Sequence, residues 1–171
     1  MGFSKDILSV VDKELLKNIY VPGFLDEDKH GGFMCFVPDP TTVYLEFETV
    51  LLMLKSVEQY DKLAVNITQD IEYDSSYEAI DAEFHIGMLT SILLDAGGQR
   101  VDALTAYFDN ICSPEQGIVR GMELVFDYGY LFFDPINTDG IRIYKCREER
   151  NAWIRWLGNI TEVQSSSWQR P

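Results

Sequence analysis

Apolar residues near the start of the chain fall at three- and four-residue steps. Ile7, Val10, Val11, Leu15 and Ile19 fit one face of a helix over 4–19, with Ser4 as its N-cap. Pro22-Gly23 closes that pattern. Phe33 to Val37 is a short apolar run stopped by Pro38 and Pro40, and it predicts a strand. Asp39-Pro40 fits an N-cap and first helical residue, and Phe47, Val50, Leu51, Leu54 and Val57 then predict a helix to about Tyr60. Thr41 to Phe47 competes as a strand, because β-branched and aromatic residues fill it. Leu63, Val65 and Ile67 alternate with Ala64, Asn66 and Thr68, the period of a half-buried strand.

Ser75 with Glu78 three residues later forms a capping box, and Gly97-Gly98 supplies a helix stop. The helix between them is apolar on nearly every side in its second half (Ile86, Met88, Leu89, Ile92, Leu93, Leu94), which predicts a central, buried element. Val101, Leu104, Phe108 and Ile111 predict a further short helix. From Gly117 the pattern turns to alternation: Met122, Leu124, Phe126, Tyr128, Tyr130 and Phe132, with a turn at Asp127-Tyr128-Gly129. A second turn through Asp134-Pro135 and Asp139-Gly140 leads to a returning strand with Ile141 and Ile143. Trp153, Trp156 and Leu157 share a face of a last helix at 147–157, and 162–171 reads as a mobile tail. The expected fold is a single α+β domain over 1–161: an antiparallel sheet of four to five strands, including a C-terminal meander at 118–146, packed against four to five helices.

Composition narrows the classes of partner. Among 171 residues, 28 are Asp or Glu and 14 are Lys or Arg, a net charge of −14, while 46% are apolar. That apolar share excludes a disordered acidic tail. The charge argues against nucleic acid and anionic membrane, both polyanions, and favours a basic protein partner or plain solubility. Cys35, Cys112 and Cys146 are odd in number and far apart, so a reducing compartment is expected and no disulfide framework. The start lacks a signal-peptide pattern, and the apolar run Val50 to Leu54 is only five residues. Cytoplasmic location follows as the expectation.

The charge is uneven. Residues 31–140 hold 19 acidic and 4 basic residues, whereas 141–171 hold 3 and 6. No Lys or Arg interrupts 63–99, where Asp70, Glu72, Asp74, Glu78, Asp81 and Glu83 cluster. Asp70, Glu72 and Asp74 alternate, so an extended backbone points them one way. On the predicted helix Glu78, Asp81 and His85 fall within a sector of roughly 60°. These residues read either as a solvated strand end and dipole-matched helix start, or as an acidic docking surface. The docking candidates are Asp70, Glu72, Asp74, Glu78 and Asp81, with Tyr73 and Tyr77 as aromatic anchors.

Motifs for catalysis are few. Phosphate loops, nucleophile elbows and paired zinc-ligand spacings are missing, so neither a metal nor a cofactor is expected. His30 and Cys35 flank Gly31-Gly32, and His85 follows Asp81 by four residues, which leaves a Cys/His pair or paired carboxylates as the hydrolase alternative. Arg142, Lys145, Arg147, Arg150 and Arg155 interleave with Tyr144, Trp153 and Trp156; this segment is expected to fold back and neutralise part of the acidic body. The preferred reading is a non-enzymatic binding protein that occludes a basic partner, such as a nuclease toxin, as immunity and antitoxin proteins do. A structural or regulatory subunit whose acidity serves only solubility is the third reading.

Overall fold

Side-chain alternation, rather than helical spacing, organises most of the chain in the computed structural model, which describes residues 3–27, 34–59, 61–72, 83–94, 98–127, 129–136, 138 and 140–171. In chain order these form α1 (Lys5–Lys13), β1 (Leu15–Leu16), β2 (Asn18–Glu27), β3 (Met34–Pro38), β4 (Thr42–Glu46), β5 (Leu51–Val57), β6 (Lys62–Thr68) and β7 (Glu83–Met88). Then follow α2 (Thr90–Leu93), β8 (Gln99–Phe108), β9 (Ile118–Val119), β10 (Gly121–Phe126), β11 (Gly129–Asp134), β12 (Arg142–Tyr144), α3 (Arg147–Gly158) and β13 (Gln164–Gln169). Thirteen strands among the described residues make two antiparallel sheets, with three short helices. The expected α+β domain is therefore corrected to a mainly-β fold. No helix among the described residues is long and apolar enough to cross a membrane.

The seven-stranded sheet runs β3-β2-β4-β5-β6-β9, with β7 also paired to β2. β3 and β4 share one edge of β2, pairing with Gly23–Glu27 and Asn18–Tyr20 in turn, and β7 takes the other edge. In the six-stranded sheet β8 is central, since Ala106 pairs with Met122 of β10 on one side and Ser166 of β13 on the other. β11 and β12 continue beyond β10, and β1 joins at Leu15↔Arg100. Inward residues of both sheets meet in one core: Ile19, Val43, Leu45, Leu52, Leu54, Leu63 and Val65 face Val101, Leu104, Ala106, Met122, Leu124, Leu131 and Phe133. Phe3, Ile7 and Val11 bring α1 into the same core, and Ser4 caps it by accepting from Ile7 N at 3.3 Å.

Three predicted helices are overturned for physical reasons. Residues 42–57 form the β4–β5 hairpin, so the competing strand at Thr41 to Phe47 holds. Val43, Leu45, Leu52 and Leu54 face the core, while Tyr44, Leu51 and Met53 are buried on the opposite side. A strand buried on both faces loses the polar alternation that marks it. Residues 101–111 become β8, whose register against β10 shifts at Val125/Phe126. The bulge moves the inward side from Val101 to Leu104, Ala106 and Phe108, which imitates helical spacing. Of the capped helix at 75–97, residues 73–82 and 95–97 lie outside the described residues; the rest is edge strand β7 and the single turn α2. Ile86, Met88 and Ile92 are 47%, 56% and 67% exposed, the reverse of a buried helix. The first helix ends at Lys13 rather than at Ile19, because the chain turns into β1 and β2.

The C-terminal reading fares better at the element level. β10 and β11 form the expected hairpin, β12 returns, and α3 stands at 147–158. Where a mobile tail was expected, Gln164–Gln169 form β13. On the β2–β7 wing, the Phe36 ring lies across Gly23 and Gly87: a Cβ would stand 2.7 Å from the ring at Gly23 and 2.6 Å at Gly87. Only glycine leaves room for that ring.

Candidate functional site

α3 packs on the outer face of the six-stranded sheet. Glu148 and Glu149 occupy its first turn and Arg155 its last, matching the helix dipole. Trp153 and Leu157, four apart, bury against Tyr107, Tyr130 and Phe132, the outward residues of β8 and β11. The Trp153 ring meets Phe132 edge-on with centroids 4.9 Å apart, and Tyr144 of β12 stacks over the same phenyl at 6.2 Å and 17°. Between α3 and β12 remains a cleft of about 480 Å³, lined by Asp134, Ile136, Arg142, Tyr144, Glu149, Ala152, Trp153 and Trp156.

At its floor Asp134 is only 5% exposed. Its Oδ1 accepts from Trp153 Nε1 at 2.9 Å and from Ile136 N at 2.8 Å. Burial pushes its carboxyl above the usual range, although both donors, Arg142 and Tyr144 act the other way. Beside the cleft a second polar group is sealed under α3. Tyr107 donates to Glu123 Oε2 at 2.5 Å, and Arg150 Nη1 donates to Tyr107 Oη at 2.6 Å and to Glu123 at 3.1 Å. Burial raises the Tyr107 and Tyr130 phenols far above their usual value, so both stay protonated. Arg147 stands over the Tyr130 ring at 5.7 Å. Thus Arg147 and Arg150 of the basic C-terminal segment fold back onto the six-stranded sheet.

A third polar group is structural. Arg120 makes two contacts to Asp109, at 2.7 and 2.8 Å, and also reaches Asp61 through its carboxylate and its carbonyl oxygen, the latter at 3.0 Å. This joins the loop after β8 to the turn between β5 and β6. Burial alone would raise Asp109, but Arg120, the Cys112 thiol and the Ile111 amide lower it below the usual carboxylate range. Cys112 itself is pushed up to about 11, chiefly by burial, so it is an inert thiol at neutral pH.

Among the sequence-derived candidates, Asp70 and Glu72 are exposed in the segment after β6, and the Glu72 amide donates to Tyr44 Oη at 3.1 Å. Tyr73, Asp74, Tyr77, Glu78 and Asp81 lie outside the described residues, as does His30. His85 sits on strand β7, where alternation sets it beside Glu83 (Nε2 to Oε1 3.3 Å). Cys35 pairs with Asp26 and His85 with Gly23, an odd offset that places them on opposite faces of the sheet. Cys146 caps α3 and donates its thiol to Glu148 at 2.6 Å. Among the described residues Asp102 and Asp127 meet: burial, and after it Asp127, raises the Asp102 carboxyl. Two carboxyls in hydrogen-bond contact leave no space for the water or sugar ring that glycoside chemistry requires. Among the described residues no group of three His, Cys, Asp or Glu is placed to hold a metal ion.

The cleft was only half legible in the sequence. Trp153 and Trp156 signalled a shared face and Tyr144 an aromatic neighbour, but Asp134 read as a turn residue. Its role follows from the β11–β12 pairing Asp134↔Arg142, which no local pattern encodes. No protein-family model, curated protein or solved structure matches this chain.

Proposed function

We propose that the chain is a non-enzymatic binding protein that covers a basic protein partner with the acidic side of its sandwich. The observation that carries this reading is how the charge divides across the fold. Residues 18–88 supply every strand of the seven-stranded sheet except β9, and hold 14 acidic against 3 basic residues, a net −11. Residues 89–171 hold 11 and 8, a net −3. Asp26, Asp70 and Glu72 are exposed on the acidic side, with no cation paired to them among the described residues. Such an asymmetric field steers a basic partner to one side and speeds its approach. The mechanism is steric and electrostatic occlusion. Free cysteines at 35, 112 and 146, two of them exposed, support a reducing compartment such as the cytoplasm as the place of action.

Zero-length carbodiimide crosslinking in cells tests this reading. The expected product joins lysines of one basic protein to carboxylates of 18–88. Its association rate with the purified chain should fall at least tenfold between low and physiological salt. Asp70→Lys with Glu72→Lys should slow it further, whereas Glu149→Lys on α3 should not. A partner that is not basic, or a rate indifferent to salt and to both reversals, overturns the proposal.

A further inference from the structure

The cleft under α3 has a lining that selects among ligand charges. At about 480 Å³ it accommodates a small molecule or one long side chain. Its charged lining is two carboxylates, Asp134 and Glu149, against one guanidinium, Arg142. The Trp153 Nε1–H is already given to Asp134, so an anion would find few donors and two repelling groups. Most of the remaining wall is aromatic: Tyr144, Trp153 and Trp156, the last 46% exposed at the mouth. Ring faces attract cations through their quadrupole, and more strongly where water is displaced.

We propose that this cleft binds an organic cation, an ammonium or guanidinium group held among Trp156, Trp153 and Tyr144 and balanced by Asp134 and Glu149. The floor supports this independently of the walls. Asp134 is nearly fully buried there, and Arg142 balances its charge only in part, because burial outweighs Ile136, Trp153, Arg142 and Tyr144 together and leaves the carboxyl raised. A bound cation adds to that balance. The site lies on the outer face of the six-stranded sheet and does not rest on the proposal of a basic partner at the other sheet.

Calorimetric titration of the full chain tests the proposal with four probes. These are choline, its neutral isostere 3,3-dimethylbutan-1-ol, arginine amide, and a short peptide carrying one trimethyllysine. Saturable one-to-one binding of at least one cation, about tenfold or more tighter than the isostere, is expected. Tighter binding of the peptide identifies a side chain as the source, and tighter binding of choline or arginine amide a free small molecule. Trp156→Ala and Glu149→Gln, both at the rim, should weaken binding several-fold while each variant keeps the parent's circular dichroism spectrum. Glu72→Gln on the far sheet should leave it unchanged, which separates the cleft from general attraction to an acidic protein. Equal binding of the isostere, no saturation by any cation, or indifference to both rim variants overturns the proposal.

Discussion

Asp134 shows how one side chain can serve a site at the expense of the fold. Its carboxyl is raised by burial, so the folded protein holds that proton more tightly than the unfolded chain does. The stabilising contribution is therefore complete below about pH 3.8 and is lost as pH rises through the raised folded value. Above that folded value the charged carboxylate is a burden. Asp134→Asn keeps an oxygen to accept from Trp153 and Ile136 while removing the buried charge. Urea unfolding should find the variant more stable than the parent at pH 7, with the gap closing toward pH 4. A loss of stability at pH 7 would show that the ionised form is the better packed one. The same variant should lose affinity for whichever cation fills the cleft, so stability and binding move in opposite directions. Asp109 behaves in the opposite sense: its lowered carboxyl contributes stability above the unfolded value, lost as pH falls through the folded one.

At the scale of elements, β13 departs furthest from expectation. Six of its residues pair with β8 from Phe108 to Ala103, Thr105 and Ser167 share a hydroxyl bond of 2.9 Å, and Trp168 packs against the main core. Replacing Trp168 with Ala should lower stability by roughly 2 kcal/mol, and ending the chain at Val163 should cost more. Amide exchange should find Ser165–Gln169 protected, whereas a freely moving tail would exchange at once. Nothing in Gln164–Gln169 announced this: its three serines are polar and its strand identity comes from the β8 edge it completes. The elements that were legible carry their own signal. α3 shows Trp153 and Leu157 on one face, and β10 shows Met122, Leu124 and Phe126 alternating with Glu123 and Val125. Illegible ones lost theirs to tertiary context, β4 and β5 through burial on both faces and β8 through its bulge. For the candidate site the aromatic wall was visible and the buried carboxylate was not, since burial is set by a strand pairing.

For the whole molecule, the two sheets differ in how far apart in sequence their strands lie. Hairpins connect β2 to β3, β4 to β5 and β5 to β6, so most of the seven-stranded sheet closes short loops. The six-stranded sheet instead pairs Leu15 with Arg100 and Phe108 with Gln164. Non-local pairings delay folding because loop-closure entropy is lost before contacts form. Refolding followed by tryptophan fluorescence should therefore fall in the millisecond-to-second range, slower than for a helical chain of this size. A microsecond phase carrying the full amplitude would contradict that placement. The central position of β8 also sets an order during synthesis. β2 to β6 can pair as they leave the ribosome, yet β8 has one flank open until 164–169 are made. Until then the nascent chain offers a bare strand edge next to an apolar interior, and that interval is when it most needs a chaperone or a partner to keep it from joining a neighbour.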